Sequence, residues 1–129
     1  MTGSAFRTRT FFLCLLVLSL TLACFAPVEP RPGLEFDPAQ LPAARVGVPY
    51  EATVRVQGNV TPVFLFGVAE GSLPDGLRWE YHEHDDFAKI SGAPTRAGTF
   101  TFKLSASCLG TNVSGQTGEI EYTIEVKQP

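Results

Sequence analysis

Apolar and polar residues alternate with period two in three long stretches of the chain. Tyr50, Ala52, Val54 and Val56 fall on one face of an extended segment, with Glu51, Thr53 and Arg55 on the other. Phe100, Phe102, Leu104 and Ala106 alternate in the same way with Thr99, Thr101, Lys103 and Ser105. Ile120, Tyr122, Ile124 and Val126 do so with Glu119, Glu121, Thr123 and Glu125. This periodicity marks strands with one face buried and one in water. Val63 to Val68 predicts a strand that is apolar on both faces, with Phe64, Phe66 and Val68 opposed to Val63 and Leu65. Shorter strands are expected at Leu77–Trp79 and Lys89–Ser91. No stretch predicts a helix of useful length, and ten prolines with twelve glycines disfavour long ones.

The connections carry turn chemistry. In Leu73-Pro74-Asp75-Gly76-Leu77, Pro74 presets its own φ and Gly76 tolerates a positive one. Gly92 to Gly98 reads as a second tight connection. Many short strands at close spacing, joined by such turns, predict an all-β sandwich.

Five segments taken in order carry a resemblance. They are Leu41-Pro42, Val46-Gly47-Val48-Pro49-Tyr50, Gly71-Ser72-Leu73-Pro74-Asp75-Gly76-Leu77, Ile90-Ser91-Gly92-Ala93-Pro94-Thr95 and Ala97-Gly98-Thr99-Phe100-Thr101-Phe102. Together they resemble the immunoglobulin-like domain of bacterial surface proteins, which is related in shape to cadherin repeats. The resemblance implies an immunoglobulin-like antiparallel β-sandwich of about seven strands over residues 36–127. It departs from the family in two places. Arg78 to Lys89 is longer and more charged than the usual hairpin, and Ser107 and Cys108 stand where an aspartate is frequent. The acidic junction motifs by which cadherin repeats hold calcium are lacking, so calcium is not expected.

The N-terminus adds a different kind of signal. Arg7 and Arg9 precede an apolar run from Phe11 to Ala23, too short for a membrane span of about 20 residues. A basic start, a short apolar run and a small residue before the cut read as a secretory leader over residues 1–23. Leu20-Thr21-Leu22-Ala23-Cys24 resembles the lipobox of bacterial lipoproteins. In that family the leader is cut between the positions held here by Ala23 and Cys24, and the cysteine is acylated. Thr21 stands where leucine is commonest. Pro27, Pro30 and Pro32 make residues 24–35 a semi-rigid spacer. The resemblance implies a lipid-anchored protein of the cell envelope. Phe25, in place of an aspartate that favours inner-membrane retention, points to the outer membrane where the organism has one.

Charge narrows the partners. The full chain carries a net −3, and loss of Arg7 and Arg9 with the leader makes it −5. No basic surplus exists to neutralise phosphates, so nucleic acid is not an expected partner. An envelope protein or a glycan is. No cofactor is expected, and no nucleophile elbow, phosphate loop or nucleotide fingerprint points to an enzyme.

Candidate site residues gather between the expected short strands. Trp79, Tyr81 and Phe87 are residue types that anchor interfaces and would suit a ligand platform, such as a carbohydrate-binding face, against the plainer expectation that Trp79, beside an alternating strand, packs in the core. His82, His84 and Asp86 supply imidazole and carboxylate donors at strand spacing, a weak divalent-metal pattern against the ordinary reading of a solvated hairpin tip. Cys108 has no base beside it in sequence and reads as an inert thiol, or one half of an intermolecular disulfide. Asn59-Val60-Thr61 and Asn112-Val113-Ser114 match the glycosylation pattern, which carries little weight in a bacterial lipoprotein. The Gly-, Ser- and Thr-rich stretch from Leu109 to Gly118 is expected to be mobile.

Overall fold

A computed structural model describes residues 31–111 and 114–129. The leader, Ala23, Cys24 and the Asn112-Val113 pair lie outside the described residues. Eight strands form: β1 Glu35–Asp37, β2 Ala44–Arg45, β3 Tyr50–Gln57, β4 Val63–Gly71, β5 Leu77–Tyr81, β6 Phe87–Gly92, β7 Gly98–Cys108 and β8 Thr117–Lys127. They build two four-stranded sheets, ordered β1-β3-β6-β5 and β2-β8-β7-β4. The described residues contain no helix. The fold is an all-β sandwich of the immunoglobulin-like kind.

The expected alternation sets the core. Val54, Ile90, Leu104 and Ile124 are each 0% exposed, and Phe102 and Tyr122 are nearly so. Each such side chain contributes on the order of 1.5–3 kcal/mol through burial. Glu51, Arg55, Glu119, Glu121 and Glu125 stay on the wet faces.

Three expectations need correction. The strand expected at Val63–Val68 does not alternate. Its pairing with β7 shifts register between Val63 and Leu65 and again between Val68 and Glu70. The first bulge rotates the strand so that Val63 and Phe66, three residues apart, are both buried while Phe64 and Leu65 both face out. The second concerns strand direction. β2 pairs parallel with β8, through Ala44–Val126 and Arg45–Lys127, because the chain leaves the first sheet after β1 and crosses to the second without reversing. Tyr50 and Tyr122 hold that crossing, their hydroxyls donating to the Pro42 and Pro38 carbonyls. Burial pushes both phenol pKa values up to about 12, with Asp37 adding to the effect at Tyr122. The third correction is the start of the folded chain, which precedes Phe36. Glu35 already pairs with Gln57, Leu34 packs on the core, and the Pro32 carbonyl accepts a hydrogen bond from Gln116.

The two proline-glycine motifs lock together at one end of the sandwich. Leu77 N donates to Pro74 O at 3.0 Å, closing the first turn. Thr95 N donates to Asp75 O at 2.8 Å, and Gly47 N to Pro94 O at 2.8 Å. Gly92 pairs with both Tyr50 and Leu77, so it sits between β3 and β5 with backbone on each side.

Candidate functional site

The sequence-predicted residues lie at the opposite end, where the chain enters the domain. That end gathers residues 31–34, the 58–62 loop, the His82–Asp86 hairpin tip, and Leu109 to Gln116 outside the undescribed pair. Strand direction puts them there: β3, β5 and β7 finish at this end, and β4, β6 and β8 begin there.

Trp79, Tyr81 and Phe87 do not form one surface. Trp79 and Tyr81 occupy inward positions of β5 and lie edge-on to Phe66, with ring centroids 5.0 and 5.8 Å away. Their polar tips are also engaged. Trp79 Nε1 donates to Phe66 O at 3.1 Å and Tyr81 Oη to Val63 O at 3.0 Å. Val63 and Phe66 lie on β4, the edge of the other sheet, so the two aromatics close the open side of the sandwich. They also occupy edge carbonyls that a further strand would need. Phe87 sits on the outer face of β6, with the Arg55 guanidinium 5.2 Å from its ring centre. An alternating strand sends neighbours to opposite faces, and that separates Phe87 from the inward pair.

His82, His84 and Asp86 are likewise spread around a turn. His84 takes a positive φ of 74°, and its N–H lies 3.1 Å from Val63 O and 3.2 Å from Tyr81 Oη. Asp86 turns to Arg55 at 3.7 Å. The strand geometry that would aim both imidazoles the same way is broken at this turn. Among the described residues, no three His, Cys, Asp or Glu side chains gather closely enough to hold a metal ion.

Cys108 is a free, buried thiol at the end of β7. Burial pushes its pKa up, and the nearby Arg31 charge only partly offsets this. A raised pKa starves the thiolate, the reactive form. Native Cys108 is expected to react with a disulfide reagent at pH 8 about 100-fold or more slowly than the unfolded chain. Equal rates in native buffer and in denaturant would show that the thiol is open.

Gln116, which sequence reasoning passed over, is the most fully bonded side chain at this end. It is 5% exposed. Its Nε2 donates to Pro32 O at 2.8 Å and Gly58 O at 2.9 Å, while its Oε1 accepts from Val60 N at 2.8 Å. Its carbonyl accepts from Cys108 N at 2.8 Å. The side-chain amide thus ties the entering chain to the 58–62 loop, and the Gln116 backbone carbonyl joins both to β7. The stretch expected to be mobile is anchored at Gln116, and Gly115 packs directly against Cys108 O. A glutamine in a Gly/Thr-rich run carries no periodic signal that would have marked it.

The same end exposes apolar side chains. Val60 is 64% exposed, Leu65 57%, Phe64 51% and Leu109 37%. Leu109 is stitched to the loop through its N–H to Pro62 O at 3.0 Å and its carbonyl to Thr61 Oγ1.

No family model and no curated protein matches the chain. Solved structures resemble it in fold. The SrpA adhesin from Streptococcus sanguinis superposes with a TM-score of 0.57 at 12% identity, over 80% of this chain and 61% of that one. An endo-fucoidan hydrolase of glycoside hydrolase family 107 gives 0.56 at 16% identity, over 81% of this chain and 15% of the hydrolase. The PapD-like domain 7 of human CEP192 gives 0.52 at 10% identity, over 81% and 93% respectively. The chain therefore spans a small part of the hydrolase and under two thirds of the adhesin. At these identities the likeness is one of fold alone, that of an all-β sandwich of the immunoglobulin-like kind.

Proposed function

We propose that this chain is an envelope lipoprotein, cut before Cys24, acylated there, and held at the outer membrane in an organism that has one. Its sandwich serves as a non-catalytic binding or structural module for another envelope component, a protein or a glycan. The order of parts carries this reading: a short apolar leader, Ala23-Cys24, a proline spacer, and a sandwich whose backbone is pinned from Pro32 onward. A small domain of this fold binds through loops or strand edges. In the second sheet the β4 edge is occupied by Trp79 and Tyr81 and β2 is two residues long, and in the first β1 is only three residues long, which favours contact through the loops. The likeness to part of an adhesin supports a binding role of this type.

Anchoring is tested by Cys24→Ser. The variant is expected to accumulate as unprocessed precursor and to lose incorporation of radiolabelled palmitate. Normal processing with release of a soluble product would exclude the lipid anchor. The binding role is tested by crosslinking in intact membranes. Partners should be captured through labels at Asp75 or Arg96, at the end remote from the chain entry.

A further inference from the structure

We infer that the chain-entry end of the sandwich is a membrane-facing surface, seated on zwitterionic lipid through Val60, Phe64, Leu65 and Leu109. The inference rests on the lipid anchor at Cys24 proposed above. Seven residue steps separate Cys24 from Arg31, where the described chain begins. A fully extended chain spans at most about 3.6 Å per residue, so Arg31 lies within about 25 Å of an acylated Cys24. From there the backbone is held at one end of the domain by Gln116 Nε2 to Pro32 O. β7 is 11 residues long, so the far end lies about 36 Å away at 3.3 Å per residue. The far end lies farther from Arg31 than the tether can reach, so the entry end stays within about 25 Å of the bilayer.

The distribution of exposed apolar groups fits that orientation. Six large hydrophobics are exposed among the described residues, and four lie at this end. Val48 lies at the other end, and Val68 midway along β4. The β4 bulge produces half of the patch, because it turns Phe64 and Leu65 out together. Such side chains enter the headgroup boundary with their apolar area, and the anchor removes the entropic cost of reaching it. The hairpin at the same end carries Glu83, Asp85 and Asp86. Arg55 pairs with Asp86 and Arg31 offsets one further charge, so these acids leave a small negative excess that disfavours anionic lipid, and the occupant is zwitterionic lipid.

The test uses the full-length protein, processed and purified from membranes, in vesicles of phosphatidylcholine and phosphatidylethanolamine. An environment-sensitive fluorophore is placed on Val60→Cys or on Val48→Cys, each in a Cys108→Ala background. The label at position 60 should be blue-shifted, and a lipid-borne quencher should act on it severalfold more strongly than on position 48. Equal, water-like emission at both positions in protein that floats with the vesicles overturns the seating and leaves the anchor standing. Failure to float with vesicles overturns both. A shift at position 60 that rises with protein-to-lipid ratio assigns the patch to a second copy and also overturns the proposal.

Discussion

Gly92→Ala is expected to destabilise the sandwich by about 3–5 kcal/mol, lowering the urea midpoint without changing the urea m-value. Two costs add. Gly92 has φ of 134°, a region that residues with a Cβ rarely enter, and holding a side chain there costs about 1–3 kcal/mol. A Cβ would also overlap the Gly76 carbonyl oxygen and come within 3.2 Å of Leu77 Cα. Both neighbours are backbone, Gly76 in the tight turn and Leu77 at the start of β5, so neither can step aside without disturbing the turn or the β5–β6 ladder. Overpacking of this kind typically costs about 1–3 kcal/mol more. Two controls separate the terms. Gly47→Ala has φ of 75° with open space around the added methyl, so it should lose only the conformational part, about 1 kcal/mol. Gly67→Ala has neither a positive φ nor a neighbour within 4 Å and should be near neutral. A midpoint for Gly92→Ala equal to that of Gly47→Ala would refute the clash.

That clasp was among the most legible features of the sequence. Leu73 to Leu77 and Ile90 to Thr95 announce turns through residue types whose backbone preferences are local. The clean alternation around Val54, Leu104 and Ile124 needed only a periodicity to be placed in the core. The edges were less legible, because there the two sheets decide. Val63 to Val68 is apolar throughout, and a strand with no polar phase cannot reveal a bulge. Tyr81 looks like an exposed anchor when β5 is considered alone, while Trp79, beside an alternating strand, already reads as core. Only the neighbouring β4 edge, with two free carbonyls, explains why they turn in. Gln116 lay beyond sequence reasoning for the same reason, since its three partners are 84, 58 and 56 residues away.

Gln116→Ala is therefore expected to cost about 2–4 kcal/mol, more than its single exposed-looking position suggests. The truncation leaves the Pro32 and Gly58 carbonyls and the Val60 N–H without the amide that satisfies them, and each stranded buried group costs about 1–3 kcal/mol, less where water enters. The loss should be local as well as global. Amide exchange at Val60 and protease cleavage near Gly33 should accelerate more than exchange at Leu104, in the middle of β7. Gln116→Glu sharpens the point through pH. A carboxyl there faces two carbonyl oxygens and must keep its proton to donate to either, so its folded pKa is raised above the unfolded value of about 4.3. A group raised in the folded state contributes most below its unfolded pKa and loses that contribution as pH rises through the folded one. The variant should thus approach the parent's stability in acid and fall progressively behind it towards neutral pH, whereas the parent amide does not titrate. A constant difference between the two proteins across that range would show that position 116 does not donate to Pro32 and Gly58, and would release the entering chain from the end of the sandwich where Gln116 holds it.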